Sequence, residues 1–109
     1  MKTHTMITAF GMSLALVTSA WAGHGNPEAA KEKAQVCAAC HGPDGNSTTP
    51  NFPKLAGQNE DYLRAVLKHY RNKQRTNAIM NGQAESLTDT EIADLAAFYA
   101  QQKGLQVKR

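Results

Sequence analysis

The chain has 109 residues, with 12 Lys and Arg against 9 Asp and Glu and a formal charge of +3. That length excludes a large multidomain assembly, and so mild a basic bias excludes the strongly charged surface of a dedicated nucleic-acid binder. Aromatic residues make up only 6% of the chain, too thin a supply for a small core to hold itself together, so a staple or a bulky internal group is required.

In chain order, the first element is a leader. Lys2 is followed by a mostly apolar run from Met6 to Val17 and then by Ala20-Trp21-Ala22 before Gly23, which is the layout of a secretory signal peptide. Thr8, Gly11 and Ser13 interrupt the run, and it is too short for a spanning helix of about 20 apolar residues. The expectation is therefore cleavage after residue 22, a single mature domain over residues 23–109, a location in the periplasm, and no stable membrane insertion. A retained N-terminal anchor is the alternative with the same charged-then-apolar order.

The mature region reads as helices joined by loops. A first helix is expected from Asn26 as N-cap, with Pro27 at the first helical position, to about Cys40. Gly42-Pro43-Asp44-Gly45 ends it. Residues 42–58 have no sustained period and read as an ordered loop wrapped around something. A second helix begins at Asn59, with Leu63, Val66, Leu67 and Tyr70 as its buried stripe. Arg64, Lys68, Arg71 and Arg75 lie along another of its faces, either to steer an acidic partner or simply as a solvated surface. Asp44, Glu60 and Asp61 make the surface mixed. Residues 72–87 read as a linker. Thr88-Asp89-Thr90-Glu91 has the form of a capping box opening a last helix, with Ile92, Leu95, Ala96 and Tyr99 turned inward and Gly104 as its stop. No segment alternates like a strand, so the fold class is all-α.

Both cysteines of the chain lie in Cys37-Ala38-Ala39-Cys40-His41, and C-x-x-C-H is the signature of covalent c-type haem attachment. Residues i, i+3 and i+4 of a helix share a face, so two thiols can join one edge of a porphyrin while the imidazole reaches its iron. A haem held in this way also supplies the apolar bulk that the sequence lacks. Exported thiols also form plain disulfides or oxidoreductase sites, and zinc would need a fourth ligand such as His69 or His24. Loss of the leader removes Met1, Met6 and Met12 and leaves Met80 as the one methionine. A thioether opposite an imidazole is the ligand pair of electron-transfer cytochromes. A lone methionine is otherwise core filler, and His69 is the rival ligand.

Residues 37–58, CAACHGPDGNSTTPNFPKLAGQ, resemble the haem-binding segment of bacterial class I cytochromes c, most of all one domain of cytochrome c4. The resemblance continues through Tyr62-Leu63, the Arg-x-Asn-x-x-Met pattern from Arg75 to Met80, and Leu-Thr-Asp-x-Glu-Ile from Leu87, covering nearly all of residues 28–102. It implies a class I cytochrome fold of three to five helices around one haem c, with the first and last helices crossing. It also implies Cys37 and Cys40 as thioether attachments, His41 and Met80 as axial iron ligands, and the Pro53 carbonyl as acceptor of a hydrogen bond from the His41 ring. Cytochrome c4 proteins carry two such domains, whereas this chain has one C-x-x-C-H.

With both axial positions filled by protein, the expected function is one-electron transfer, not enzymatic catalysis. The expected partners are redox proteins such as a quinol–cytochrome c reductase, a terminal oxidase or a dehydrogenase, met by a monomer or a homodimer. Two alternatives stand beside this: a cytochrome subunit held permanently by a dehydrogenase, and a ligand-binding haem protein with a displaceable Met80.

Overall fold

The computed structural model describes residues 9–13, 15 and 24–104. The leader expected over residues 1–22 therefore falls largely outside the described residues. Its described members have no helical or strand structure, and Phe10 and Met12 are fully exposed. Four helices and no strand make up the described residues: α1 Lys31–His41, α2 Glu60–Arg71, α3 Ala78–Ala84 and α4 Asp89–Ala100. The fold is all-helical, and no described helix is long and apolar enough to cross a membrane.

Helix α1 starts later than its sequence indicates. Asn26 does cap, accepting through Oδ1 from the Glu28 N–H at 3.0 Å. What it caps is a tight turn, with Ala30 N–H bonded to Pro27 O and Lys31 N–H to Glu28 O. This i→i+3 spacing gives way to α-helix only at Lys31. At the other end, Gly42 at φ +83° donates its N–H to Ala38 O at 3.0 Å and turns the chain away. That backbone region favours glycine, so His41 becomes the last helical residue.

Helices α2 and α4 begin as expected. Asn59 Oδ1 accepts from Tyr62 N–H at 3.1 Å. Thr88 and Glu91 form a complete capping box: Thr88 Oγ1 accepts from Glu91 N–H at 3.1 Å and Glu91 Oε1 accepts from Thr88 N–H at 3.3 Å. Thr88→Ala removes the hydroxyl that accepts from Glu91 N–H and leaves the backbone half of the box; it is expected to cost about 1 kcal/mol, read as a lower midpoint in urea unfolding of the haem-loaded protein. The helix ends at Ala100, and Gly104 sits beyond it at the end of a turn.

The linker expected over residues 72–87 contains a helix, α3. Asn77 caps it by accepting from both Ile79 N–H (3.1 Å) and Met80 N–H (3.0 Å). Asn81 then ties it back: its side chain accepts from Asn77 N–H at 2.9 Å and donates to Tyr70 O and Arg75 O, each at 2.9 Å. Local capping and these carbonyl contacts replace the apolar period that marks the longer helices.

Helix α4 packs along α2 and meets α1, while α3 lies against α2. Their shared core is Ala30, Ala34, Leu63, Leu95, Ala96 and Tyr99, with Cys37, Leu55, Leu67, Leu87 and Phe98 around it. All four expected inward residues of α4 are buried. On α2, Leu63 is buried, whereas Val66, Leu67 and Tyr70 are half-buried.

The basic row expected along the second helix is broken up: α2 ends at Arg71, which leaves Arg75 in the turn beyond it, and Arg64 and Arg71 are drawn into local and interhelical pairs. Arg64 bonds Glu60 at 3.2 Å, and Arg71 bonds Asp89 at 2.6 Å and Leu87 O at 3.0 Å. The Arg75 guanidinium lies 5.4 Å from the Tyr70 ring centre, within cation–π range. Arg71 holds the Asp89 carboxyl below its ordinary range, and Lys33 does the same for Glu91. Depressed folded-state values mean that these contributions are present above the ordinary carboxylate pKa and are lost as pH falls through the depressed one.

Candidate functional site

Helix α1 carries Cys37, Cys40 and His41 on its last turn, spaced i, i+3 and i+4. Cys37 and Cys40 are half-buried and not joined to each other. Cys37 packs against the core cluster, and burial pushes its thiol pKa up. The small Ala38 and Ala39 put no bulk between the two thiols.

His41 is 7% exposed. Its Nδ1 lies 2.8 Å from Pro53 O. A carbonyl only accepts, so Nδ1 carries the proton and donates, which leaves Nε2 with a lone pair and no proton. That nitrogen is the one an iron would take. Phe52 stands edge-on to the imidazole, 6.4 Å between ring centres. Pro53 comes within reach because the 42–58 loop closes on itself: Gly45 O accepts from Leu55 N–H at 2.8 Å and Ala56 N–H at 3.2 Å, and Asn46 is bonded to Asp44 and to Lys103 O.

Met80 sits in the first turn of α3, half-buried, its N–H held by the Asn77 side chain. His69, the rival ligand, is exposed on α2. Among the described residues no group of three or more His, Cys, Asp or Glu side chains is placed to hold a metal ion. Asn81 was silent in the sequence as a site residue. Its bonds run to carbonyls of α2 and the following turn, and nothing local announces such partners.

Two thiols on one helical face, an imidazole with one nitrogen committed to a carbonyl, and a half-buried methionine on a separate short helix fit a covalently attached haem. The buried Tyr99 hydroxyl, which has no hydrogen-bond partner in the protein, marks a further polar group on the same core. These features define a protein of the c-type haem class.

The comparisons with known proteins agree. The family model described as Cytochrome c matches residues 27–103. Cytochrome c4 of Pseudomonas aeruginosa is 49% identical over 79 residues, covering 72% of this chain and 39% of that protein. Cytochrome c-554(548) of Halomonas halodenitrificans is 42% identical over 82 residues, covering 72% of this chain and 99% of that protein. The crystal structure of reduced recombinant cytochrome c4 from Pseudomonas stutzeri superposes with a TM-score of 0.70 at 42% identity, covering 74% of this chain and 47% of that one. The chain thus spans about two fifths of the length of the cytochrome c4 of Pseudomonas aeruginosa. It belongs to the cytochrome c family. Its one C-x-x-C-H specifies one covalent haem c, and the family's work is electron carriage, not enzymatic catalysis.

Proposed function

We propose that this protein is a soluble, single-haem electron carrier that works outside the cytoplasm, with Cys37 and Cys40 as the thioether attachments and His41 and Met80 as the axial ligands. The observation that carries this reading is the 2.8 Å contact between His41 Nδ1 and Pro53 O, because it prepares one ring nitrogen to bind iron and fixes the ring's orientation. Bound there, the haem supplies a one-electron ferric–ferrous couple.

The chain's own residues do the rest. Cys37 and Cys40 fix the group to α1. Pro53 O keeps the His41 tautomer and raises the basicity of Nε2. Asn77 and Asn81 hold α3, so that Met80 is presented from a constrained turn and not from a loose loop. Phe52 packs edge-on beside the imidazole. With His41 and Met80 both supplied by the protein, a bound haem iron would have no position left for oxygen or peroxide.

The apolar run from Met6 to Val17, followed by Ala20-Trp21-Ala22, supports export and cleavage near Gly23. Redox partners, whether a quinol–cytochrome c reductase, a terminal oxidase or a dehydrogenase, would meet it through small, short-lived contacts of less than about 1,200 Å².

The test is acid–organic extraction of purified protein followed by intact mass. One haem should stay on a chain that starts near residue 23. A haem that washes out, or a mass that fits a Cys37–Cys40 disulfide, would overturn the reading.

A further inference from the structure

Tyr99 has no task in the electron-carrier scheme, yet it is one of the most constrained side chains in the molecule. It is 3% exposed, and its hydroxyl lacks a hydrogen-bond partner. Buried tyrosine hydroxyls usually find one, because an unpaired polar group carries the full penalty of leaving water.

The residue is held on several sides. Its carbonyl accepts from Gly57 N–H at 2.9 Å and Gln102 N–H at 3.2 Å. Its ring stands edge-on to Phe98 at 5.0 Å. Gly45, at φ +83°, lets the loop close on it: a Cβ there would lie 2.8 Å from Tyr99 Cδ1. The hydroxyl therefore cannot swing out to solvent.

The titratable group that acts on Tyr99 is Cys37, which packs against the same core cluster. Burial pushes the phenol pKa up, and Cys37 adds to the rise. As a thiol, Cys37 can donate or accept. Joined in a thioether, its sulfur has no proton and can only accept. The Tyr99 hydroxyl is then the donor beside it.

We propose that Tyr99 is a positioning residue that donates a hydrogen bond to the Cys37 thioether sulfur and thereby favours the reduced state of the carrier. The proposal rests on Cys37 being an attachment point. With haem attached, an O–H dipole directed at that sulfur would lie at the porphyrin edge in buried surroundings, and would stabilise the form with the extra electron.

The experiment is redox titration of the haem-loaded Tyr99→Phe variant against a mediator of fixed potential. Removing the donor should lower the equilibrium constant for reduction about threefold, a fraction of what a hydrogen bond is worth, while the optical spectrum and the haem content stay unchanged. In the unmodified protein, resonance Raman carbon–sulfur stretching bands should shift in D2O, and in Tyr99→Phe they should not. A purely structural role moves neither quantity.

An unchanged potential with a raised melting temperature would show that the hydroxyl is an orphan and would overturn the proposal. A D2O shift confined to haem carboxylate modes would overturn it equally. If Tyr99→Phe fails to load haem, the isotope shift in the unmodified protein decides alone. Failure of Cys37 as an attachment point reads differently, since the haem would then be lost on extraction.

Discussion

Met80→Ala is expected to abolish the weak near-red absorption band that a thioether sulfur gives with ferric iron, while the haem stays on the chain. Two thioethers and His41 are untouched by the substitution, so attachment does not depend on it. Met80 sits one residue beyond exposed Ile79 and is half-buried in a helix capped by Asn77, a position from which shortening to alanine removes the ligand without breaking the cap. A thioether favours ferrous iron, and its loss should lower the reduction potential by roughly 0.2 V, part of the ~0.8 V range that axial ligands span. The vacated position should admit carbon monoxide in the ferrous protein. His69→Ala, on an exposed residue of α2, should do none of this. A band that survives in Met80→Ala, or that disappears in His69→Ala, would move the sixth ligand to histidine.

The parts of this structure that could be read from the sequence are those whose partners lie within four residues. The C-x-x-C-H turn, the Asn59 cap, the Thr88–Glu91 box and the inward stripe of α4 are all local, and each stands where its residues indicate. Helix α3 was hidden because Asn81-Gly82 in its middle reads as a turn, and an interior glycine costs about 1 kcal/mol of helix stability. What outweighs that cost is the bonding of Asn81 to Tyr70 O and Arg75 O, which no periodicity reports. The row of basic residues from Arg64 to Arg75 reads as a single helical face, whether it steers a partner or is simply solvated, yet α2 ends at Arg71 and leaves Arg75 outside it. Arg71 reaches across to Asp89 on α4, a partner 18 residues away, so the row is divided by the tertiary fold. Tyr99 was legible as an inward residue, but its unpartnered hydroxyl was not. Only the packing of α1, α4 and the 42–58 loop around it reveals that.

The same packing predicts that the chain does not hold its fold without the haem. Among the described residues, six of the ten buried apolar residues are alanines, and Ile92 and Leu95 are the largest side chains that are fully buried. Burying a leucine or isoleucine side chain contributes about 1.5–3 kcal/mol, and an alanine methyl far less. Against this stands about 1–2 kcal/mol of backbone entropy for each residue fixed, over helices of 7 to 12 residues that are marginal in isolation. The 42–58 loop adds cost, since its closure is held by a few bonds around Gly45 and by the His41–Pro53 contact. In Cys37→Ala, Cys40→Ala, made without haem, the far-ultraviolet circular dichroism should lose most of its helical signal and show no cooperative thermal transition. Alanine is a good helix former at both positions, so the loss cannot come from local propensity. A haem-free double variant with full helicity and a sharp melt would show that the alanine-rich core is sufficient, and that the haem is a passenger and not the centre of the fold.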